Sequence, residues 1–249
     1  MQIPTELLMY SFFLLLLAVM AFMYASVGHG GASGYLTVLA LFGAAPMLMK
    51  PSALILNIFV SLISFTQYHR GGHFRWKLFL PFAITSIPAS YLGATLVIEE
   101  HLYKKVLALC LLFPIGKLLG LWGQEQYEKK DFNMYYGSLI GAVIGLLSGM
   151  IGIGGGIILS PVILWFRWAN IKETAAVSAL FILVNSVAGL AALLAKGYLP
   201  QSEIFVWLGI AVMGGTAGAY LGSHKFNYKI LRYMLAVVLV IACVKLLIT

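Results

Sequence analysis

Two glycine-rich runs interrupt the apolar sequence and carry residue types that could bind a ligand. A helix that begins directly after such a break points unpaired N–H groups and the positive end of its dipole at the break. Glycine also lets an anion approach the backbone closely. We therefore expect the two runs to form a binding site for a small anion. The predicted site includes Gly28, His29, Gly30, Gly31 and Ser33 from the first run, and Gly152, Gly154, Gly155 and Gly156 from the second.

Three further features of these segments could contribute chemistry. His29 is the ionisable residue inside the breaks, and the second run has Ile153 at the matching place. Because imidazole titrates near neutral pH, His29 could contact an anion or exchange a coupling proton, and a packed histidine is the alternative. Asn57 and Asn185 lie inside apolar stretches, where their amide groups need partners. We expect them to line the same site or, alternatively, to join neighbouring helices.

Acidic side chains are absent from the interiors of the apolar stretches. The eight acids are Glu6, Glu99, Glu100, Glu125, Glu128, Asp131, Glu173 and Glu203, and they lie in tails, connections or span edges. Carboxylates inside a membrane are what a cation pathway, a proton relay or an intramembrane hydrolase would need. The sequence therefore predicts no enzyme activity, no metal site and no cofactor.

The composition is typical of a protein that crosses a membrane several times. Hydrophobic residues make up 61% of the 249 residues and charged residues only 10%, against about 25% charged residues in soluble proteins. The net charge of +8 fits basic residues that orient spans, so we expect no nucleic-acid partner. Cys110 and Cys243 lie in apolar segments, so the sequence supports neither a disulfide framework nor a Cys-rich metal site. We predict an all-α, multi-pass protein of the cytoplasmic membrane.

Two uncharged stretches are too long for a single crossing. Leu7–Met49 and Phe132–Phe166 would measure about 64 Å and about 52 Å as helices, against about 30 Å of hydrocarbon. Each must be broken at its glycine run. The first stretch lacks a basic leader before it, so we predict a retained span there rather than a signal peptide. Single spans are predicted at Pro51–His69, Leu78–Ile98, Val106–Leu121, Thr174–Ala195, Ile204–Ser223 and Tyr233–Ile248.

The two halves of the chain match each other in order. The matching pairs are Val27-Gly-His-Gly-Gly with Ile151-Gly-Ile-Gly-Gly, Ser52-Ala-Leu with Ser178-Ala-Leu, Asn57 with Asn185, Tyr91-Leu-Gly with Tyr220-Leu-Gly, and Lys117-Leu-Leu with Lys245-Leu-Leu. This ordered series predicts a duplication. We place the first membrane repeat at residues 1–122, a charged linker at 123–133 and the second repeat at 134–249.

The orientation of the repeats depends on the short segment after each break. If both segments cross the membrane, each half has five passes and the repeats are inverted; if both are re-entrant, each half has four passes. In the five-pass arrangement most basic residues fall on one side, which the positive-inside rule favours. We therefore predict two inverted repeats, each with a Gly-rich broken or re-entrant helix and about four spans.

These residues resemble the TauE/SafE family of sulfite exporters, also called the 4-toluene sulfonate uptake permease family. The resemblance rests on Ser26-Val-Gly-His-Gly-Gly-Ala-Ser-Gly-Tyr-Leu, on Gly149-Met-Ile-Gly-Ile-Gly-Gly-Gly, on the Tyr68–Arg75 loop and on the two-repeat layout. The first run departs from the second, with Ala32 in place of Gly156. The resemblance implies secondary transport of small sulfur-containing anions such as sulfite or organosulfonates.

Three functions remain open at this point. The leading hypothesis is a secondary transporter with a small anionic substrate, a possible coupling proton and the lipid bilayer as its partners. A passive anion channel could use the same breaks as a filter, and the substrate could be a different small carboxylate or oxyanion. A subunit that assembles without transporting is the third reading. The direction of transport and the oligomeric state do not follow from the sequence.

Overall fold

The computed structural model describes residues 5–44, 46–96, 129–200 and 202–248, and these residues form helices and no strand. The helices are α1 (Thr5–Ser26), α2 (Ala32–Leu41), α3 (Pro46–Arg70), α4 (Trp76–Thr95), α5 (Met134–Ile151), α6 (Gly156–Trp165), α7 (Ile171–Ala195), α8 (Ile204–Tyr220) with a π-helical extension (Leu221–Lys225), and α9 (Tyr228–Ile248). The predicted span Val106–Leu121, Cys110, the Lys117 match and most of the linker lie outside the described residues.

Six of the described helices are long and apolar enough to cross a membrane. They are α1, α3, α4, α5, α7 and α8 with its extension, and they confirm the prediction of an all-α multi-pass membrane protein. In contrast, α2 and α6 have ten residues each, about 15 Å, which is half of a hydrocarbon core.

Both breaks are shorter than the sequence predicted. The first ends at Gly31 and the second at Gly155, whose φ angles of 98° and 79° lie in the left-handed region that favours glycine. Helix α2 therefore already includes Ser33 and Gly34, and Gly156 is the first residue of α6.

Glycines on one helix pack against the backbone of a neighbouring helix in two helix pairs, α8 with α1 and α5 with α4. On α8, glycines four residues apart lie on carbonyl groups of α1; on α5, glycines four residues apart lie on carbonyl groups of α4. In each pair the residue numbers of the contacts increase in the same direction along both helices, so the two helices are parallel. The α8–α1 contacts are Gly214 with Ala18, Gly218 with Phe22 and Gly222 with Ser26; the α5–α4 contacts are Gly141 with Phe82, Gly145 with Ser86 and Gly149 with Ser90. Such close small-residue packing is typical of membrane helices.

Helices α3 and α7 form the centre of the bundle and run antiparallel. Asn57 of α3 is hydrogen-bonded to Ser186 of α7, whereas Tyr68, near the end of α3, packs against Ala175, near the start of α7. On the flanks, α4 runs parallel to α7 and α3 parallel to α8, as contacts at successive turns show. These contacts are Phe82 with Phe181, Ser86 with Asn185, Val60 with Gly215 and Tyr68 with Gly222.

The two short helices point in opposite directions from the centre. Phe42, which follows α2, stacks edge-on against Phe13 near the start of α1, with ring centroids 5.3 Å apart. Phe166, which follows α6, stacks on Trp168 at the opposite end of the bundle, near the start of α4. The N-termini of α2 and α6 therefore both lie in the interior of the bundle, between its two ends.

One end of the bundle, here called the basic end, carries most of the described cations. The Arg75 side chain donates to the carbonyl of Trp168 at 3.1 Å, and Lys129 pairs with Glu173 at 3.0 Å. These contacts join the loop after α3, the end of the linker and the start of α7. The basic end contains Arg70, Arg75, Lys77, Lys129, Lys130, Arg167, Lys172, Lys225, Lys229 and Arg232, whereas Lys50 and Lys196 lie at the other end.

Candidate functional site

Asn57 joins the two glycine breaks at the centre of the bundle. Its Oδ1 accepts a hydrogen bond from the N–H of Ala32, the first residue of α2, at 3.0 Å. Its Nδ2 donates to Ser186 Oγ on α7 at 2.7 Å. Gly30 and Gly154 pack directly on this amide: a side-chain carbon at 30 would overlap Oδ1, and one at 154 would lie 2.6 Å from Nδ2. The break of each predicted repeat thus contacts the same side chain.

His29 lies beside the first turn of α6, although it belongs to the first break. Its Nε2 is 2.7 Å from Ser160 Oγ, and Ser160 Oγ is 2.8 Å from Ser178 Oγ on α7. A side-chain carbon at Gly156 would lie 3.4 Å from His29 Cδ2, an ordinary contact distance, so the imidazole ring packs beside this residue of α6. The ring is 1% exposed, and its Nδ1 has no hydrogen-bond partner among the described residues.

Asn185 takes a different position from Asn57, although the sequence pairs the two. Its Nδ2 donates to Ser86 Oγ of α4 at 3.0 Å and to the carbonyl of Phe181 in its own helix at 2.8 Å. Its Oδ1 is buried without a hydrogen-bond partner among the described residues. The hydrogen bonds of Asn185 therefore join α7 to α4 and do not reach either break.

The remaining residues of the predicted site shape the two breaks. A side-chain carbon at Gly28 would overlap the backbone of Ala175 on α7, and Gly152 ends α5 beside the Lys50 side chain. Gly31 and Gly155 precede α2 and α6 in left-handed conformations, and Ser33 Oγ is 2.7 Å from the Tyr24 hydroxyl. All eleven predicted site residues are buried.

The electrostatics at this centre favour negative charge. The positive ends of the α2 and α6 dipoles meet here, one from each half of the chain. At α2 the Ala32 N–H is already satisfied by Asn57. Among the described residues, no hydrogen bond uses the N–H groups of Gly30, Gly31 and Gly34 at α2, or those of Gly154, Gly155, Gly156 and Ile157 at α6. No group of three or more metal-ligating side chains occurs among the described residues.

Sequence reasoning missed two hydroxyl groups at this centre, those of Ser178 and Ser186. Both lie on α7, two turns apart, in a stretch that is apolar except for Asn185, and both are buried. Polar side chains at this spacing share one face of a helix, which is a signal that the sequence contains. Ser178 also forms part of the repeated Ser-Ala-Leu motif.

Comparison with known proteins agrees with this architecture. The family profile described as "Sulfite exporter TauE/SafE" matches residues 12–246. A "Probable membrane transporter protein" of Sinorhizobium fredii is 37% identical over 237 residues, which cover 92% of this chain and 94% of the relative. A protein of the same description from Methanocaldococcus jannaschii is 27% identical, covering 72% of this chain and 71% of the relative. No solved structure matches the chain. The extent of the profile match and the close similarity to the first relative show that this protein belongs to the TauE/SafE family of membrane transport proteins.

Proposed function

We propose that the protein is a secondary transporter that moves a small sulfur-containing anion across the cytoplasmic membrane by alternating access. The observation that carries this proposal is the meeting of two opposed helix N-termini, α2 and α6, around Asn57 and His29 in the middle of the bundle. Broken helices whose positive ends point at an anion near the membrane centre are typical of transporters built from repeats. Free backbone groups at that depth are tolerated where they line a binding site.

The helix directions support inverted repeats. In the sequence duplication, α1, α3 and α4 correspond to α5, α7 and α8. Helices α1 and α3 are each parallel to α8, so these three run in one direction. Helix α4 is parallel to α5 and to α7, and α7 is antiparallel to α3, so α4, α5 and α7 run in the opposite direction. Each helix of the first half therefore runs opposite to its counterpart in the second half. Two inverted halves that share a central site can face either side of the membrane by rocking against each other.

The burial of the centre favours a gated transporter over an open channel. His29 is 1% exposed and Asn57 is 0% exposed, so no open aqueous path reaches them in this conformation. Counterflow distinguishes the two functions. We expect unlabelled sulfite inside proteoliposomes to accelerate the entry of labelled sulfite, because a carrier returns faster when loaded. Equal entry with and without internal sulfite would instead establish a passive channel.

The sulfur chemistry of the substrate rests on the family, since the site itself selects only for a small anion. We expect unlabelled sulfite to compete with labelled sulfite, and taurine or sulfoacetate to compete if organosulfonates also enter the site. Competition by acetate or phosphate, with none by the sulfur compounds, would assign the protein to a different small carboxylate or oxyanion.

The orientation in the membrane gives a separate prediction: the basic end faces the cytoplasm. Gly72 and Gly197 follow α3 and α7 at opposite ends, have φ angles of 74° and 82°, and have no atom within 4 Å of an added side-chain carbon. In a Cys110→Ala, Cys243→Ala background, we expect Gly197→Cys to react with a membrane-impermeant maleimide in intact cells. We expect Gly72→Cys to react only after permeabilisation. The reverse labelling pattern would invert the proposed orientation.

A further inference from the structure

We propose that the hydroxyl group of Tyr35 donates a hydrogen bond to the transported anion, beside Gly31 at the start of α2. This assignment depends on the proposed transport function and adds to it a substrate-binding side chain that follows the first glycine run. Three features of Tyr35 support the assignment. They are the place of its hydroxyl, the lack of a hydrogen-bond partner for that hydroxyl, and the residue at the corresponding position of the second half.

The Tyr35 ring folds back over the N-terminus of α2. Tyr35 is the fourth residue of this helix, and its N–H donates to the carbonyl of Gly31 at 3.0 Å. Side chains on a helix lean toward its N-terminus, so the ring reaches the preceding turn. A side-chain carbon at Gly31 would lie 2.6 Å from Tyr35 Cζ and 2.7 Å from the hydroxyl oxygen. The hydroxyl therefore lies against the helix end that carries the positive end of the dipole.

The Tyr35 hydroxyl is buried without a hydrogen-bond partner. The side chain is 0% exposed, and none of the described residues pairs with its hydroxyl. A buried tyrosine hydroxyl usually has a partner. Tyr24 on α1 follows this rule, because its hydroxyl oxygen is 2.7 Å from Ser33 Oγ. An unpaired buried hydroxyl lowers the stability of the fold, and a ligand that accepts from it removes this cost.

The backbone groups around this hydroxyl are also unpaired donors. Asn57 Oδ1 accepts from the Ala32 N–H at 3.0 Å. Within the described part of the chain, no acceptor pairs with the other N–H groups at this helix end, which are those of Gly30, Gly31 and Gly34. A cation would repel such an excess of donors, whereas the oxygens of an oxyanion are acceptors. One oxyanion can accept from the hydroxyl and from a backbone N–H together.

The second half of the chain has an apolar residue at the position of Tyr35. In the predicted duplication Gly31 matches Gly155, which places Leu159 opposite Tyr35. Leu159 is also the fourth residue of its helix, α6, and is also 0% exposed. A large apolar side chain therefore suffices for packing at this position. The hydroxyl is the part of Tyr35 that packing does not require, which favours a role in binding.

The Tyr35→Phe variant tests the assignment, because it removes the hydroxyl and keeps the ring. Radiolabelled sulfite is titrated onto the purified full-length chain in lipid nanodiscs, and the melting temperature is measured without sulfite. We expect sulfite binding to weaken about ten-fold or more, since a hydrogen bond to a charged group is lost. We expect the melting temperature to stay equal or rise, since an unpaired buried hydroxyl is removed. A lower melting temperature with unchanged sulfite affinity would overturn the assignment and give the hydroxyl a structural role, such as pairing with a buried water.

Trp207→Phe is the matched control. Trp207 Nε1 is also buried and unpartnered among the described residues, but Trp207 lies in the first turn of α8, toward the end of the bundle opposite the basic end, and packs against Phe13. We expect its sulfite dissociation constant to stay within about two-fold of the wild-type value. An equal loss of affinity in both variants would overturn the assignment.

Wild-type measurements separate this assignment from the proposed function. Saturable sulfite flux in proteoliposomes, together with unchanged affinity in Tyr35→Phe, would overturn the role of Tyr35 and leave the transport function in place. Wild-type protein that neither binds nor transports sulfite would overturn both.

Discussion

Valine at position 154 is expected to abolish anion flux while the protein remains folded in the membrane. A side-chain carbon at Gly154 would lie 2.6 Å from Asn57 Nδ2, 2.7 Å from Ser186 Oγ and 2.9 Å from Ile182 Cγ2. These are ends of side chains, which can shift, so the expected damage is local. The damage affects the hydrogen bond from Asn57 to Ser186, which lies beside both breaks. Gly30→Val should disturb the same amide, because its side chain would overlap Asn57 Oδ1, but it would also lie 2.8 Å from the backbone carbonyl oxygen of Asn57 and should therefore cost more stability.

The control for this prediction is Gly43→Val. Gly43 has a φ angle of 73°, close to the 74° of Gly154, but no atom lies within 4 Å of an added side-chain carbon. Both valines therefore cost about 1–2 kcal/mol of backbone strain, and only Gly154→Val displaces the central contacts. Flux is measured as sulfite uptake, and folding as the elution profile of the purified protein. Normal flux in a folded Gly154→Val variant would remove the second break from the transport mechanism.

A second large effect is expected on stability, at the contact between α8 and α1. A side-chain carbon at Gly218 would overlap the backbone carbonyl of Phe22, which cannot move aside as a side chain can. Gly218→Ala must therefore separate two helices that pack along their whole length. We expect a loss of about 1–3 kcal/mol, the usual cost of overpacking, and a clearly lower melting temperature in detergent.

Gly209→Ala is the matched control on the same helix. No atom lies within 4 Å of an added side-chain carbon at Gly209. Alanine there gains up to about 1 kcal/mol of helix propensity, so its melting temperature should stay equal or rise. Equal melting temperatures of Gly218→Ala and Gly209→Ala would show that close backbone packing between α8 and α1 does not stabilise the fold.

The sequence predicted the general architecture because glycine and charge are informative in a membrane protein. The two uncharged stretches were too long for single helices, and the structure breaks both at their glycine runs. The limits of the breaks were less predictable. Ser33, Gly34 and Gly156 lie in helices, since a helix can start at any residue once a left-handed glycine precedes it.

The hydrogen-bond partners of Asn57 and Asn185 were less predictable from the sequence than the helices were. The duplication pairs Asn57 with Asn185, and this pairing suggested equivalent roles. The structure instead places Ser186 opposite Asn57 and turns Asn185 toward α4. Adjacent residues on a helix point about 100° apart, so a one-residue difference in helix register changes which side chain faces the centre. That register is set by the packing of α7 against α3 and α4, which no local pattern reveals.

The uptake of radiolabelled sulfite into sealed proteoliposomes, with and without an imposed pH gradient, tests the central claim most directly. We predict saturable uptake that depends on the protein and is lost in Gly154→Val but not in Gly43→Val. Acceleration by the pH gradient would further identify the proton as the coupling ion and would make His29 the first residue to examine for proton exchange. Sealed vesicles that contain folded protein and show no saturable sulfite uptake would contradict the claim.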